Sequence, residues 1–502
     1  MQFTSLTFIL FLTIVFGLYW STRAARMQNA IIILASYTFY GWWDYRFCAL
    51  ILISSLGDYF LARQINRAQN GDVTNWLSPK KLLGVSLFCN LGLLALFKYY
   101  GFFADNFLTC ATTLGWTPNQ LTLDLILPVG ISFYTFQTLS YTIDVYCKRL
   151  KPAENVIDYL AFVSFFPQLV AGPIERGTNL LPQFEENRVF NLEDASSGCR
   201  LILWGFFKKL AVADVLAVSV DSIYGGFEVA TGGELALATI FFAFQIYCDF
   251  SGYSDIAIGT ARLFSIKLMR NFAYPYFSQS LTEFWSRWHI SLSTWFRDYV
   301  YIPLGGSRGS TVSQHRNIFL TFLLSGFWHG AAWTFVTWGA IHGSALTFEK
   351  LLGKRFTKLK STKPALDFDH APSLFVFPIV TLRMLLTFSL VCLGWVFFRA
   401  KSIGSAFEII GKIRSCIWEP EQLAALAQRI GDEKMLKASL IVIAILVSIE
   451  WIQRRHECPL FALPLQGLWG RPVRWLAYTS LILLTLDFMA RGAPRTFVYF
   501  AF

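Results

Sequence analysis

Hydrophobic residues make up 55% and charged residues only 15% of the 502-residue chain; soluble domains carry about 25% charged residues, so too little polar surface is available to cover soluble cores. The formal net charge is +11, but basic residues sit mainly in short segments between apolar runs, such as Arg63/Arg67/Lys80/Lys81 and Lys354/Arg355/Lys358/Lys360/Lys363. That is the pattern of topology-setting loops beside anionic headgroups, and the absence of a basic-aromatic recognition module excludes nucleic acid as a partner. Mean hydropathy is +0.47. A chain in lipid must satisfy its backbone polar groups internally, so the composition predicts an all-α polytopic membrane protein with roughly ten to twelve membrane helices. No composition shift marks off a soluble module, and residues 1–502 read as one membrane-embedded domain.

In chain order, the first apolar run is Leu6–Trp20. It has no basic n-region and no small-residue cleavage site, so it reads as a retained span and not a signal peptide. A second run, Ala30–Trp43, ends in the aromatic residues expected at a headgroup boundary. The third, Phe47–Ala62, carries Asp58. Arg63–Lys81 then reads as a cytoplasmic loop in which Pro79 ends any helix. Leu82–Phe97 is the next span, closed by Lys98-Tyr99-Tyr100 and followed by an irregular stretch with Asp105, Gly115 and Pro118. Leu125–Tyr146 starts with Pro128 and Gly130 and is rich in hydroxyls, which points to a span facing protein or a cavity. Asp144 near its end is a candidate functional or structural acid.

Val156–Ala171 follows, broken by Pro167, Gly172 and Pro173 in FFPQLVAGPIER, where Glu175 and Arg176 are placed to pair. Phe184–Asp194 reads as a surface loop or interfacial helix. Leu201–Val220 holds Lys208, Lys209 and Asp214 in an apolar context. Leu235–Tyr247 leads into CDFSGYSDIAIGTARLF, where Asp249, Ser251, Tyr253 and Asp255 cluster. Helix capping explains these four as well as chemistry does. Beyond the central segment, Ser361–Ser373 is a polar loop and Phe375–Phe398 a span. Ser402–Ala438 is a charged, amphipathic insert, interfacial or aqueous, and Leu440–Trp451 and Trp475–Met489 are the last spans. The nine cysteines form no CxxC or Cys/His cluster; Cys89, Cys248 and Cys392 read as small core residues.

Four of the six histidines fall within residues 272–343, the predicted catalytic core. Phe284–Ser307 holds Arg287, His289, Arg297 and Asp298. Each charge at the bilayer centre costs about 2.5–3.5 kcal/mol, so this segment is predicted to be re-entrant or interfacial, lining a polar cavity. Trp285 and His289 are four apart and would share a helix face. Gly305 and Gly306 after Pro303 mark a turn. In LSGFWHG, His329 has no charged neighbour for several residues, and Gly326 and Gly330 permit close approach of a backbone or ligand. An imidazole there is expected to be neutral and able to accept a proton. A core histidine hydrogen-bonded across helices is the competing reading for His329, and more so for His342. His315, beside Arg316, reads as a residue of a basic loop. No spacing fits a metal site.

The runs EFWSRWHISLSTWFRDYVYIPLGGSR, WHG with the later WGAIHG, LPVGISFYTFQTLSYTIDVY, FPQLVAGPI and YCDFSGYSDIAIG resemble the membrane-bound O-acyltransferase (MBOAT) family. They are most similar to its bacterial branch containing the alginate O-acetyltransferase membrane subunit. The resemblance is close over about Met1–Glu349 and continues through GWVFFRA and FVYFAF. It implies a tunnel through the membrane domain, with an acyl group passing from a thioester to a hydroxyl. It implies that His329 is the essential histidine and His289 the second, more variable polar position. It also implies acetyl-CoA as cytoplasmic donor with no bound cofactor, an esterase-like or acetyltransferase partner outside the membrane, a polysaccharide acceptor such as alginate or peptidoglycan, and location in the bacterial inner membrane. Trp285, Arg287, Trp288, Arg297, Asp298, Trp328 and His342 are candidate donor- and substrate-binding residues, with Arg287 and Arg297 suited to CoA phosphates. Pairing with Asp298 or lipid phosphate accounts for the two arginines equally well. Two other readings stay open: D-alanyl transfer to teichoic acid on the same fold, and a transporter in which these side chains line a permeation path.

Overall fold

The computed structural model describes residues 1–71, 77–116, 123, 125–170, 172–356, 377–416, 418–454, 460, 470–491 and 497. Pro118, the Ser361–Ser373 loop and FVYFAF beyond Phe497 lie outside them. Among the described residues the secondary structure is helical, without strands. Among the described residues, five helices are long and apolar enough to cross a membrane: Arg46–Gln69, the Pro79–Thr113 run, Gly232–Leu263, Pro378–Arg399 and Lys434–Gln453. Leu6–Trp20 is a shorter apolar helix. The chain is thus a multi-pass helical membrane protein.

The chain separates into two compact units. One comprises Met1–Ile202 with Ser254–Met269, and the other Leu203–Tyr253 with Arg270–Phe502. In the first, helix Arg46–Gln69 runs seven residues beyond the predicted end at Ala62. The basic residues Arg63 and Arg67 are therefore helical. Pro79 opens the next helix instead of ending one; its missing N–H is an orphan at that position anyway. The stretch after Phe97 is not irregular. It continues through a π-turn, Ala95–Tyr99, into helix Tyr100–Thr113, so Asp105 is helical. Proline ends a helix only from its interior, and nothing in 98–113 breaks the backbone hydrogen-bond ladder.

Helix Ile131–Tyr146 starts six residues later than the predicted span, behind Gly130. Gly130 has φ +74, and a Cβ there would lie 2.5 Å from the Leu169 carbonyl oxygen. All but two of its residues are buried, as its hydroxyl-rich sequence predicted. Thr138 donates to Asn90 (3.2 Å), and Ser86 and Asn90 donate to the two oxygens of buried Asp58 (2.5 and 2.8 Å). Asp144 is buried and takes a salt bridge from Arg149 at 3.2 Å. The predicted break in 156–171 is present: helix Val156–Ser164 ends at Phe165 and a single turn, Phe166–Leu169, follows. Glu175 accepts from Asn179 Nδ2 at 2.7 Å and from the Met269 backbone. Phe184–Asp194 is the junction between helices Gly177–Glu185 and Leu192–Phe206.

In the second unit a π-helical segment, Phe207–Ala213, leads into helix Asp214–Gly225. Its Lys209 is buried against Asp214 (2.8 Å) and Asp249 (2.7 Å), and Lys208 donates to Ser251 at 2.9 Å. Asp249, Ser251 and Tyr253, like Asp255 of the first unit, lie in the middle of helix Gly232–Leu263. They cap nothing: the apolar run before them and the polar run after form one uninterrupted helix. Helices Ile403–Cys416 and Pro420–Asp432 fill the predicted charged insert. Cys248 and Cys392 are buried, whereas Cys89 is exposed, on a face of its helix that does not pack inward.

Candidate functional site

The segment from Ser280 folds as two helices of seven residues, Leu281–Arg287 and Ile290–Phe296, followed by a π-turn, Arg297–Tyr301. At 1.5 Å per residue neither crosses a bilayer. Ser280 caps the start of the first helix by accepting from the Glu283 N–H (3.1 Å), and Glu283 Oε2 reaches back to accept from the N–H of Gln279, one residue before the cap (2.7 Å). Glu349 reinforces this start by accepting from the Leu281 N–H at 2.7 Å and from Thr282 Oγ1 at 2.5 Å.

The first helix ends at Arg287. Trp288 is extended, and His289 takes left-handed backbone angles, φ 44 and ψ 55. Trp285 and His289 therefore share no helix face, contrary to the spacing argument, because the backbone reverses between them. The reversal is strapped to residues 271–273: the Ile290 N–H donates to the Asn271 carbonyl and the Ala273 N–H to the Arg287 carbonyl, both at 2.9 Å. His289 is buried, with its Nδ1 3.1 Å from Asn271 Oδ1 and its ring edge-on to Phe250 at 4.6 Å. Burial holds the imidazole well below its ordinary range, so the ring is neutral at pH 7.

His329 is the last residue of helix Thr311–His329, with Gly330 extended behind it. His315 belongs to the same helix near its start, half-buried, and not to a loop. Ser310 caps that start by accepting from the Ser313 N–H, which a charge-based reading of the basic stretch overlooks. The helix packs on Trp333–Phe356 through a seam of glycines. A Cβ at Gly326 would lie 2.3 Å from the Phe335 carbonyl oxygen and one at Gly339 2.4 Å from that of Phe322. This close approach seats the buried His329 ring among Trp328, Trp338 and Phe398, at centroid distances of 5.1, 5.0 and 5.4 Å.

His289 and His329 line one cavity of about 380 Å³, together with Trp285, Trp288, Arg297 and Lys350. The rest of its wall is six Ile, Leu and Phe side chains, six Ser and Thr, and Tyr301, and the surface they present is mainly apolar, unlike the polar cavity expected from the local charges. Those charges are neutralised in pairs: Arg287 with Glu283 at 2.5 Å and Arg297 with Asp298 at 2.8 Å. Of the residues singled out in the sequence, Arg287, Asp298, Trp328 and His342 are not among those lining the cavity. Trp328 nonetheless stands beside both histidines, 6.3 Å from the His289 ring. His342 is wedged edge-on between Trp285 (5.0 Å) and Trp338 (4.8 Å). Sequence reasoning missed Asn271, Ser291, Trp338 and Lys350. Trp338 stands within the quoted WGAIHG, but no spacing rule ties Asn271 to a histidine eighteen positions later.

An apolar cavity with a neutral imidazole and a second histidine can hold a reacting carbonyl away from water while a ring nitrogen takes a proton. The family model described as MBOAT, membrane-bound O-acyltransferase family, matches residues 153–387, which span this cavity. The chain is 42% identical over 418 residues to the probable alginate O-acetylase AlgI of Pseudomonas putida, covering 83% of this chain and 80% of that protein. It is 38% identical over 409 residues to the peptidoglycan O-acetyltransferase of Helicobacter pylori, covering 76% and 72%. To the teichoic acid D-alanyltransferase of Streptococcus thermophilus it is 30% identical over 251 residues, 47% of this chain and 60% of that one. Similarity of this depth, running through the segments that build the two-histidine cavity, establishes that the chain belongs to the membrane-bound O-acyltransferase family.

Proposed function

We propose that this acyltransferase moves an acetyl group from acetyl-CoA, on the cytoplasmic side of the bacterial inner membrane, toward a hydroxyl of an exported polysaccharide. An extracytoplasmic partner protein completes the transfer. The observation that carries the reading is the pairing of His289 and His329 on one apolar cavity of about 380 Å³. A thioester is activated enough for one positioned base in a dry site to drive transfer. In this reading His329 takes the proton of the acceptor hydroxyl and returns it to the departing thiol, so the acyl C–S bond breaks as the C–O bond forms and no net proton is released. His289 orients the acyl carbonyl or the acceptor. Lys350 and Arg297, both on the cavity wall, supply cations for the donor's phosphates, Arg297 sharing its guanidinium between Asp298 and phosphate. The alginate and peptidoglycan O-acetylating relatives support an acetyl donor and a polysaccharide acceptor. The teichoic acid relative, similar over a smaller part of this chain, supports D-alanyl transfer as the second reading.

The test is transfer of labelled acetyl from acetyl-CoA by purified protein in detergent. His329→Ala is expected to lower the rate on the order of 10²-fold or more; equal rates would remove His329 from the chemistry. A wild type inert to acetyl-CoA but active with a D-alanyl-thioester carrier would establish the second reading.

A further inference from the structure

We propose that Asn271 is a positioning residue that fixes His289 as its Nδ1–H tautomer and so leaves the Nε2 lone pair to accept a hydrogen bond from the acceptor hydroxyl and orient it for His329. Asn271 and Ser291 are fully buried and His289 is 1% exposed, so no bulk water competes for their hydrogen bonds. Asn271 Oδ1 accepts from the Ser291 backbone N–H at 3.3 Å and from Ser291 Oγ at 2.9 Å. A backbone N–H can only donate, so the atom facing it is the amide oxygen and not the amide nitrogen. His289 Nδ1 lies 3.1 Å from that same oxygen. A bare Nδ1 would set lone pair against lone pair, so Nδ1 carries the hydrogen, and the neutral ring keeps its lone pair on Nε2.

The backbone repeats the grip. The Asn271 carbonyl accepts from the Ile290 N–H at 2.9 Å, one residue beyond His289, whose left-handed φ of 44 is uncommon for residues other than glycine. One residue thus holds both the conformation of the turn and the tautomer of the ring it carries. In a Ser-His-Asp triad a carboxylate performs this task and also stabilises the imidazolium. An amide orients the ring without adding a charge, which suits a buried imidazole that works in its neutral form. The consequence for catalysis rests on the reading of the cavity as the acyl-transfer site; the tautomer itself does not.

Nitrogen-15 histidine labelling of the full chain in lipid nanodiscs reports the tautomer without turnover, with His289 assigned by subtracting the His289→Gln spectrum. A protonated Nδ1 and bare Nε2 are expected; an Nε2–H ring overturns the proposal. Kinetics give the second measurement, with acetyl-CoA as donor. Asn271→Leu, which removes the acceptor at nearly constant volume, is expected to lower kcat on the order of 10- to 10³-fold with KM for acetyl-CoA unchanged. Asn271→Asp keeps an oxygen opposite Nδ1 and is expected to recover activity above Asn271→Leu. A wild-type kcat in folded Asn271→Leu overturns the proposal, as does an equal loss in the two folded variants. If Asn271→Leu does not fold, the wild-type spectrum decides. A wild type without acetyl transfer sinks the acyl-transfer reading and leaves the spectrum to judge the tautomer.

Discussion

Gly394 stands where His342 needs room. A Cβ at that position would lie 2.5 Å from His342 Nε2, and the ring cannot retreat because Trp285 and Trp338 hold it edge-on from other directions. Trp338 in turn packs edge-on against His329 at 5.0 Å. A single methyl at Gly394 therefore strains the packing that seats His329. Gly394→Ala is expected to destabilise the protein by about 1–3 kcal/mol, the usual cost of overpacking, and to slow acetyl transfer. Thermal unfolding in detergent beside the transfer assay checks this; an unchanged midpoint and rate would mean the wedge has slack. His289 and His329 were recognisable in the sequence because histidine is scarce here and both stand in tryptophan-rich runs. Asn271 was not: it lies one position before the predicted core of 272–343, and an asparagine at a loop position signals nothing until its oxygen is seen facing Nδ1.

Elements were legible where apolar periodicity decided them and illegible where geometry at a joint did. Continuous hydrophobic runs gave the helices around Leu6–Trp20 and Phe377–Arg399 nearly to the residue. No linear pattern announced the π-turn at Ala95–Tyr99, and the π-segment at Phe207–Ala213 and the reversal at His289 are held by partners far along the chain. The Phe207–Ala213 segment shows why. It buries two adjacent lysines, and Lys209 meets Asp249 at 2.7 Å across to another helix. Removing one partner of a buried pair costs about 3–5 kcal/mol, whereas replacing both by apolar groups is often neutral. Lys209→Met is thus expected to lower stability by that order and Lys209→Met/Asp249→Leu to recover part of it, Asp214 remaining without its lysine. Chemical or thermal unfolding of the two variants checks the pair, and equal stability of the single and double variants would deny that this pair couples the two helices.

At the scale of the whole molecule, large apolar side chains such as Leu34, Phe88 and Leu386 are more than half exposed. A water-soluble protein rarely leaves so many exposed, whereas a lipid-facing surface requires them. With five helices among the described residues able to cross a bilayer, the chain is expected to stay in the membrane pellet after alkaline carbonate extraction. Release into the supernatant would contradict the multi-pass reading.

Composition and the long continuous apolar runs settled that this chain belongs in a membrane and is helical, because hydrocarbon leaves the backbone only helices or closed barrels, and barrel strands alternate apolar and polar residues. The long shared runs around RWHISLS and WHG settled its family. The tertiary structure decided what the histidines do with one another. It placed His289 and His329 on one apolar cavity, withdrew His342 into a tryptophan wedge, moved His315 onto a helix and brought Asn271 to the Nδ1 of His289. Burial and hydrogen-bond partners come from contacts distant in sequence, and a linear pattern records only the contacts that recur along one element.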